Sequence, residues 1–464
     1  MGISDVHLSE VEPGTGLWMR YRQKPYAPST EIGDMLEDLV GRVRGEELTV
    51  VLNGDIFDFD APRVVDGVSV AHDRPRNAAE SVPAAAAILR DHPEFVRGLA
   101  SVVAAGHEVV FVSGNHDAQL TLPEVREVVR TAILDAAKGI DPSAAKLGDI
   151  EFRAWFYRSK EGVLFEHGHQ YDTFCSFRYP MAPFGSKEGV IQPTLGSVLS
   201  RLYMGRLGYF NPHVDATFML SLRGYVRHWV KYYLFTRRSQ PWIWLSGAMK
   251  ALYSLVAHRH SGSRDRKVRD LATAAAETGV SLRTAARHSR LFAPPGEDRL
   301  WTCIRELWLD RALFVAAAAA FVAAWVLSRQ HAFGVLATLG PVALAAVELS
   351  KPKSTLEENW RKVQRRARQV ARVHQARAVV FGHTHTPEGV WENGVFYGNT
   401  GSWSAAYRDV ACKEPLFEER PLVWLTARDG ELSGGLCAWK KGDFHAGPER
   451  VTDAAPRSAP AHVA

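Results

Sequence analysis

The chain has 464 residues, of which 46% are apolar and 23% charged, and a formal net charge of +5. That length suggests two or three domains, and the composition is that of an ordinary globular protein, so general disorder is excluded. The mild positive charge permits attraction to phosphate or anionic lipid without establishing either. Four cysteines (Cys175, Cys303, Cys412 and Cys437) form no C-x-x-C pair. This argues against a thiolate zinc site and fits idle thiols in a reducing compartment. No basic stretch followed by an apolar run marks a secretory signal at the N-terminus.

In chain order, the first notable residues are Asp5 and His7 in S-D-V-H. Only Met1 to Ser4 precede them, fewer than the five or six residues of an average strand, which leaves open whether the start is assigned too late in the reading frame. Residues 48–53 (L-T-V-V-L-N) form an apolar, β-branched run that leads into Asp55 and Asp58 of N-G-D-I-F-D. A second such run, 108–113, leads into Asn115, His116 and Asp117 of G-N-H-D. A third, 163–166, leads into His167 and His169 of E-H-G-H-Q, and a fourth, 378–381, into His383 and His385 of G-H-T-H. Runs of this kind suit buried strands. Helices are expected between them, for example over 32–43 and 84–105. Each cluster then falls just past the C-terminal end of a strand, where open α/β sheets place their ligands.

Between residues 176 and 370 the character changes to a mostly helical insertion in which aromatic and basic residues mix. It contains two stretches free of Asp, Glu, Lys and Arg, 312–328 and 332–347, joined by Arg329, Gln330 and His331. They are at the short limit for a bilayer span. The favoured reading of 312–347 is a membrane-inserted hairpin, with transmembrane helices held at both ends on the cytoplasmic side by Arg311, Lys351 and Lys353. The alternative is a hairpin buried in a soluble, cytoplasmic protein. The helix-like run 357–377 is strongly basic, either a solvated face or a patch against anionic lipid. The expected organisation is a catalytic domain in two parts, 1–175 and 371–446, split by the insertion, with a disordered tail over 447–464.

Singly, each polar cluster is weak, since a lone histidine is more often structural than a ligand. Together they supply carboxylate, imidazole and amide groups, a mixture that Mn²⁺, Fe²⁺, Co²⁺ and Zn²⁺ accept. Two adjacent cations need an anionic bridge, and Asp55, on a turn tightened by Gly54, suits that place. His116 is left over as a proton donor to a departing oxygen. Asp117 is expected to orient its ring. Asp58 is expected behind a ligand imidazole, and His169 beside the ligands or against substrate.

The order D-x-H, G-D-x-x-D, G-N-H-D, H, G-H-x-H resembles that of the calcineurin-like metallophosphoesterases. The resemblance covers about residues 3–170 and 376–404 and leaves the insertion unmatched. It implies an α/β fold, a four-layer β-sandwich flanked by helices, and a dinuclear centre, with Mn²⁺ the first choice of metal. It also implies that Asp5, His7, Asp55 and His385 hold one ion and that Asp55, Asn115, His167 and His383 hold the other. A hydroxide between the ions would attack phosphorus in line, with His116 assisting the leaving group. N-G-D-I-F-D-F is similar to the G-D-x-F-D-F segment of the bacterial UDP-2,3-diacylglucosamine pyrophosphatases. That group has Arg in place of His116 and H-G-D in place of H-G-H, and its members are about half this size. The expected substrate is therefore a phosphate ester or pyrophosphate, with a lipid or sugar-nucleotide lipid at the membrane as the candidate partner. The alternative is a soluble nuclease or cyclic-nucleotide phosphodiesterase whose basic insertion binds nucleic acid.

Overall fold

In the computed structural model the β-branched runs become the parallel centres of two mixed sheets. The structure describes residues 1–446 except 44, 71–73, 142–146, 186–188, 202–204, 214–226, 228–229, 235–239, 258–263, 300–303, 305–308, 330 and 350–354. The tail 447–464 therefore lies outside the described residues, as do parts of the aromatic and basic stretch over 225–239.

The larger sheet is built on β1 (Gly2–Ile3), β2 (Thr49–Asn53), β5 (Glu108–Val112) and β6 (Ile150–Arg153), all parallel. The antiparallel strands β12 (Arg420–Arg428), β13 (Glu431–Lys440) and β14 (Asp443–Ala446) extend it beyond β1. The smaller sheet runs in the order β10 (Glu388–Glu392), β11 (Val395–Asn399), β9 (Ala378–Phe381), β8 (Val163–Glu166), β7 (Phe156–Arg158). Its three inner strands are parallel. A separate hairpin pairs β3 (Arg63–Val65) with β4 (Val68–Val70).

Side chains alternate across each strand, and the two sheets share one of their faces. Val51, Val110 and Val112 from the larger sheet meet Phe165, Val380 and Phe396 from the smaller in a common buried core. The opposite face of the larger sheet, through Val50, Leu52, Val109 and Phe111, is covered by apolar residues of α1 (Ser29–Arg42), α2 (Ala78–Asp91), α3 (Pro93–Ala104) and α4 (Pro123–Ile140). The outer face of the smaller sheet, through Leu164, Val379 and Phe381, carries Ala274, Ala285, Val363 and Val370. The result is a mixed α/β architecture with helices outside two facing sheets.

One helix was expected over 84–105, and the chain forms two. Pro93 lacks an amide hydrogen and disfavours helical backbone in the residue before it. His92 accordingly sits at φ −124°, ψ 57°, and α3 restarts at Pro93.

Two short helices, α5 (Leu195–Leu199) and α6 (Gly205–Leu207), open the helical part of the insertion. Then come α7 (Gln240–Ala257), α8 (Arg264–Glu277), α9 (Leu282–Ser289), α10 (Leu309–Ser328), α11 (His331–Leu349) and α12 (Thr355–His374). α10 and α11 form the expected hairpin, but their charge-free runs, 312–328 and 332–347, hold only 17 and 16 residues. Among the described residues no helix is long and apolar enough to cross a membrane. Nor is the hairpin buried, since Leu313, Val326, Leu327 and Val342 are each more than 60% exposed. Cys175, Cys412 and Cys437 form no disulfide, and Cys303 lies outside the described residues.

Candidate metal centre

All five polar clusters lie past strand ends, and the turns that carry them have unusual backbones. Asp5, His7, Asp55, His383 and His385 have φ between 52° and 66°. This left-handed region is disfavoured for residues with a Cβ, though Asp and His tolerate it better than most. The turns are cross-braced. The Asp5 amide donates to the Gly54 carbonyl at 3.1 Å and the His7 amide to that of Asp55 at 3.0 Å. The His383 amide donates to Asp5 Oδ2 at 3.0 Å and the His116 amide to Asp55 Oδ1 at 2.7 Å. Gly54 holds φ +87°, and a Cβ there would overlap the His167 ring.

Two groups of donor atoms result. In the first, His385 Nε2 lies 3.0 Å from Asp5 Oδ1 and 3.4 Å from His7 Nε2. Donor atoms bound at about 2.1 Å to a single ion lie about 3.0 Å apart at a right angle and about 3.4 Å apart at a tetrahedral angle. These spacings therefore match the edges of a coordination shell. In the second group, Asp55, His167 and His383 offer ligand atoms within 4.8 Å of one another, and His167 Nε2 lies 3.2 Å from Asp55 Oδ2. Asn115 sits between Gly114, where a Cβ would overlap Asp55, and His116, whose amide Asp55 accepts.

Ring tautomers follow from the backbone. His167 Nδ1 faces the Asn53 carbonyl at 2.9 Å, and His385 Nδ1 faces that of His213 at 2.6 Å. A carbonyl only accepts, so both Nδ1 atoms carry hydrogen and both Nε2 lone pairs are available to a cation. Asp5 Oδ1, Asn115 Oδ1 and His167 Nε2 are buried without a hydrogen-bond partner. Buried polar atoms left without hydrogen bonds cost roughly 1–3 kcal/mol each, a cost that a bound ion would offset.

Without an ion, imidazoles supply the positive charge. Burial pushes the Asp55 carboxyl up, but His167 and His116 outweigh it and hold it well below the usual carboxylate range. Burial pulls His167 down, and Asp55 and Asp5 raise it to about 9. Burial likewise pulls His116 down, and Asp55 and Asp58 raise it to about 10. The arrangement therefore favours added positive charge, as a cation site does.

The expected partner of His116 is corrected. Asp117 makes neither a hydrogen bond nor an ion pair with that ring. Its carboxylate accepts the amides of Gly114 at 2.6 Å and Ile56 at 2.8 Å, bracing one cluster's loop to another. Burial and the nearby Asp55 raise it to about 7. Asp58 takes the orienting place instead, with Oδ1 at 3.0 Å from His116 Nδ1, and Asp60 stands behind at 3.4 Å. His169 is buried with neither ring nitrogen hydrogen-bonded, its ring centre 5.4 Å from that of His167.

Sequence reasoning missed His213 and Asp172. His213 Nε2 pairs with Asp58 Oδ2 at 2.8 Å, and its ring stacks on His7 at 3.7 Å. It comes from the insertion, where Asn211 ties to the Ser404 hydroxyl at 2.8 Å and the Ala405 carbonyl at 2.7 Å. The only available signal was a histidine directly after an Asn-Pro turn. Asp172 Oδ2 lies 3.2 Å from His383 Nε2, and its proximity to E-H-G-H-Q in the sequence could have marked it. Trp403 is fully buried, with its indole N–H on the Pro421 carbonyl at 2.6 Å, and its amide and the Ser402 hydroxyl both donate to the Asp5 carbonyl.

No protein-family model matches the chain, and no curated protein or solved structure matches it.

Proposed function

We propose that the chain is a two-metal phosphohydrolase of the calcineurin-like metallophosphoesterase kind, acting on a phosphate ester or pyrophosphate. One observation carries the reading. Strand ends from two sheets bring carboxylate and imidazole donors together, and Asp5 Oδ1, Asn115 Oδ1 and His167 Nε2 are buried with no hydrogen-bond partner. The two facing sheets with helices outside are read as that family's four-layer sandwich.

Asp5, His7, Asp55 and His385 would hold one divalent ion, and Asp55, Asn115, His167 and His383 the other. Mn²⁺ is the first candidate, with Fe²⁺, Co²⁺ and Zn²⁺ compatible with the same donors. Such ions, when bound, supply Lewis acidity toward the phosphoryl oxygens and an activated water. The chain's own residues do the rest. Asp58 engages His116 Nδ1, which leaves Nε2 to hand a proton to the departing oxygen. Asp58 also engages His213, which lines the cleft with His7 and Ser9. The insertion thus contributes a side chain to the site that would receive substrate.

The test is to strip the full chain with a chelator, reload it with Mn²⁺, count bound metal, and assay mono- and bis-p-nitrophenyl phosphates, cyclic nucleotides and nucleic acid. Two bound ions with ester turnover support the reading. Absence of bound metal sinks it, and turnover confined to nucleic acid or cyclic nucleotides moves the protein to the nuclease or phosphodiesterase alternative.

A further inference from the structure

We infer that the insertion binds the surface of an anionic phospholipid bilayer, with the α10–α11 hairpin embedded in the apolar layer and basic residues around it holding the headgroups. This inference stands apart from the metal reading and does not need it.

Exposed apolar surface is concentrated in one part of the chain. Among the described residues, 16 of the 21 large hydrophobic side chains exposed to solvent lie between Val230 and Val342. On the hairpin they include Leu313, Val322, Trp325, Val326 and Leu327 from α10 and Val335, Leu336, Leu339 and Val342 from α11. On α7, Leu245, Met249 and Tyr253 are exposed at four-residue spacing, which makes one stripe along the helix. A helix that is apolar on all sides belongs in a core or in lipid, and among the described residues much of this pair's apolar surface is exposed.

The hairpin's few polar groups are arranged for lipid. The Ser328 hydroxyl donates to the Ala324 carbonyl at 2.6 Å and the Thr338 hydroxyl to that of Val335 at 2.8 Å. Both are satisfied within their own helix, as hydrocarbon surroundings demand. Because no described helix is long and apolar enough to cross a membrane, the hairpin enters from one face and returns to it. A shallow entry keeps Arg329, at the tip, within reach of the headgroups through its long side chain.

Charge identifies the occupant. Residues 176–370 contain 29 Lys and Arg against 12 Asp and Glu, an excess of 17 positive charges, in a chain whose total is only +5. The other residues therefore carry 12 more acidic than basic side chains. An apolar hairpin inside a basic segment complements a layer of hydrocarbon covered by phosphate. Directly after α11, the exposed residues Arg361, Lys362 and Arg365 of α12 supply part of that charge.

The embedded hairpin also connects to the candidate metal centre. The base of α10, at Leu309, packs with Val198 and Leu199 of α5 and with Trp244 and Ala248 of α7. The segment after α5 lines the cleft, with Ser200, Gly205, Asn211 and His213 facing His7 and Asp58. The element on the membrane is thus two packing steps from the reacting site.

The test uses the full chain, purified in detergent and mixed with vesicles of phosphatidylcholine alone or with added phosphatidylglycerol, then floated on a density gradient. We expect flotation with the anionic vesicles that high salt weakens but does not abolish. The triple variant Arg361→Gln, Lys362→Gln, Arg365→Gln should lower partitioning onto anionic vesicles roughly a hundredfold, at about one Lys or Arg contact each. The variant Val326→Glu, Leu327→Glu, Leu336→Glu, Leu339→Glu should stay off vesicles and dissolve without detergent. Its far-UV circular dichroism spectrum and cooperative thermal unfolding should match those of the unmodified chain, which shows that it folds. Three results overturn the inference: wild-type protein that remains below both vesicle types, wild-type protein that ignores vesicles but binds single-stranded RNA with a steep salt dependence, or a wild-type oligomer off vesicles that the hairpin variant splits to monomers.

Discussion

At the scale of single residues, the centre depends on side chains held in backbone conformations they do not favour. Asp5, His7, Asp55, His383 and His385 all occupy the left-handed region, at about 1–2 kcal/mol each by the general steric penalty. Strain of this kind persists where the surroundings over-determine it, commonly at functional sites. Here the surroundings are amide-to-carbonyl braces between the turns. Gly54 follows the same logic in reverse, being the residue that fits φ +87° against the His167 ring. Gly54→Ala should destabilise the protein by about 1–3 kcal/mol and weaken metal uptake, measured by denaturant unfolding and by metal titration. His116 offers a sharper test. Asp58→Asn removes the charge facing Nδ1 and should lower kcat about a hundredfold or more with two ions still bound. The loss should grow as the leaving group becomes more basic. An equal loss across a series of substituted phenyl phosphates would remove His116 from the proton-donor role.

At the scale of elements, a buried polar chain fastens the insertion to the strand that carries His167. Trp155 Nε1 donates to Glu166 Oε1 at 2.9 Å, and the Tyr171 hydroxyl donates to Glu166 Oε2 at 2.8 Å. With its hydrogen used, Tyr171 accepts from His288 Nε2 at 2.6 Å, so His288 Nδ1 is bare and accepts from His374 Nε2 at 2.9 Å. One direction of donation satisfies every link, and it joins β8, α9 and α12. Burial first, then His288 and Arg158, lower the His374 pKa from 6.5 to about 3. The unfolded chain therefore takes up a proton near pH 6.5 that the folded chain refuses until about pH 3. Stability is complete above the unfolded value and falls as pH drops through that window, by up to about 1.4 kcal/mol per pH unit. His374→Gln keeps a donor for His288 and should flatten the stability curve between pH 6.5 and about 5. An unchanged curve would show that His374 does not carry the dependence. None of this chain was legible in the sequence, because its members come from four separate segments and no spacing links them. The inner strands were legible, because parallel strands buried on both faces read as unbroken apolar runs. The helix break at Pro93 was written in the sequence too, but the apolar content on both sides masked it.

At the scale of the whole molecule, the two sheets meet with their strand ends on one side, and residues from Asp5 to His385 converge there. Four of the five candidate clusters could be picked out because each follows an apolar run directly. His213 could not, because the insertion reaches the centre through a turn whose destination only the fold decides. The same layout explains why Asp117 was assigned the wrong neighbour. Adjacency in G-N-H-D placed it beside His116 along the chain, whereas the turn sends the two side chains apart, Asp117 to the Gly114 and Ile56 amides and His116 to Asp58. If ions bridge these turns, they tie strands of both sheets together, and metal binding becomes a contribution to folding stability. A ligand at a hundred times its dissociation constant stabilises by about 2.7 kcal/mol, so Mn²⁺ should raise the melting midpoint of the chelator-stripped protein by a few degrees. Asp55→Asn keeps the side chain's size but removes the bridging charge, and it should abolish that rise together with turnover. The unfilled centre of this variant should melt lower than that of the stripped wild type, because the Asp55 carboxylate, held well below its usual range by His167 and His116, stabilises the folded chain at neutral pH. A melting midpoint in the wild type that ignores both chelator and Mn²⁺ would mean that these turns are held by the chain alone.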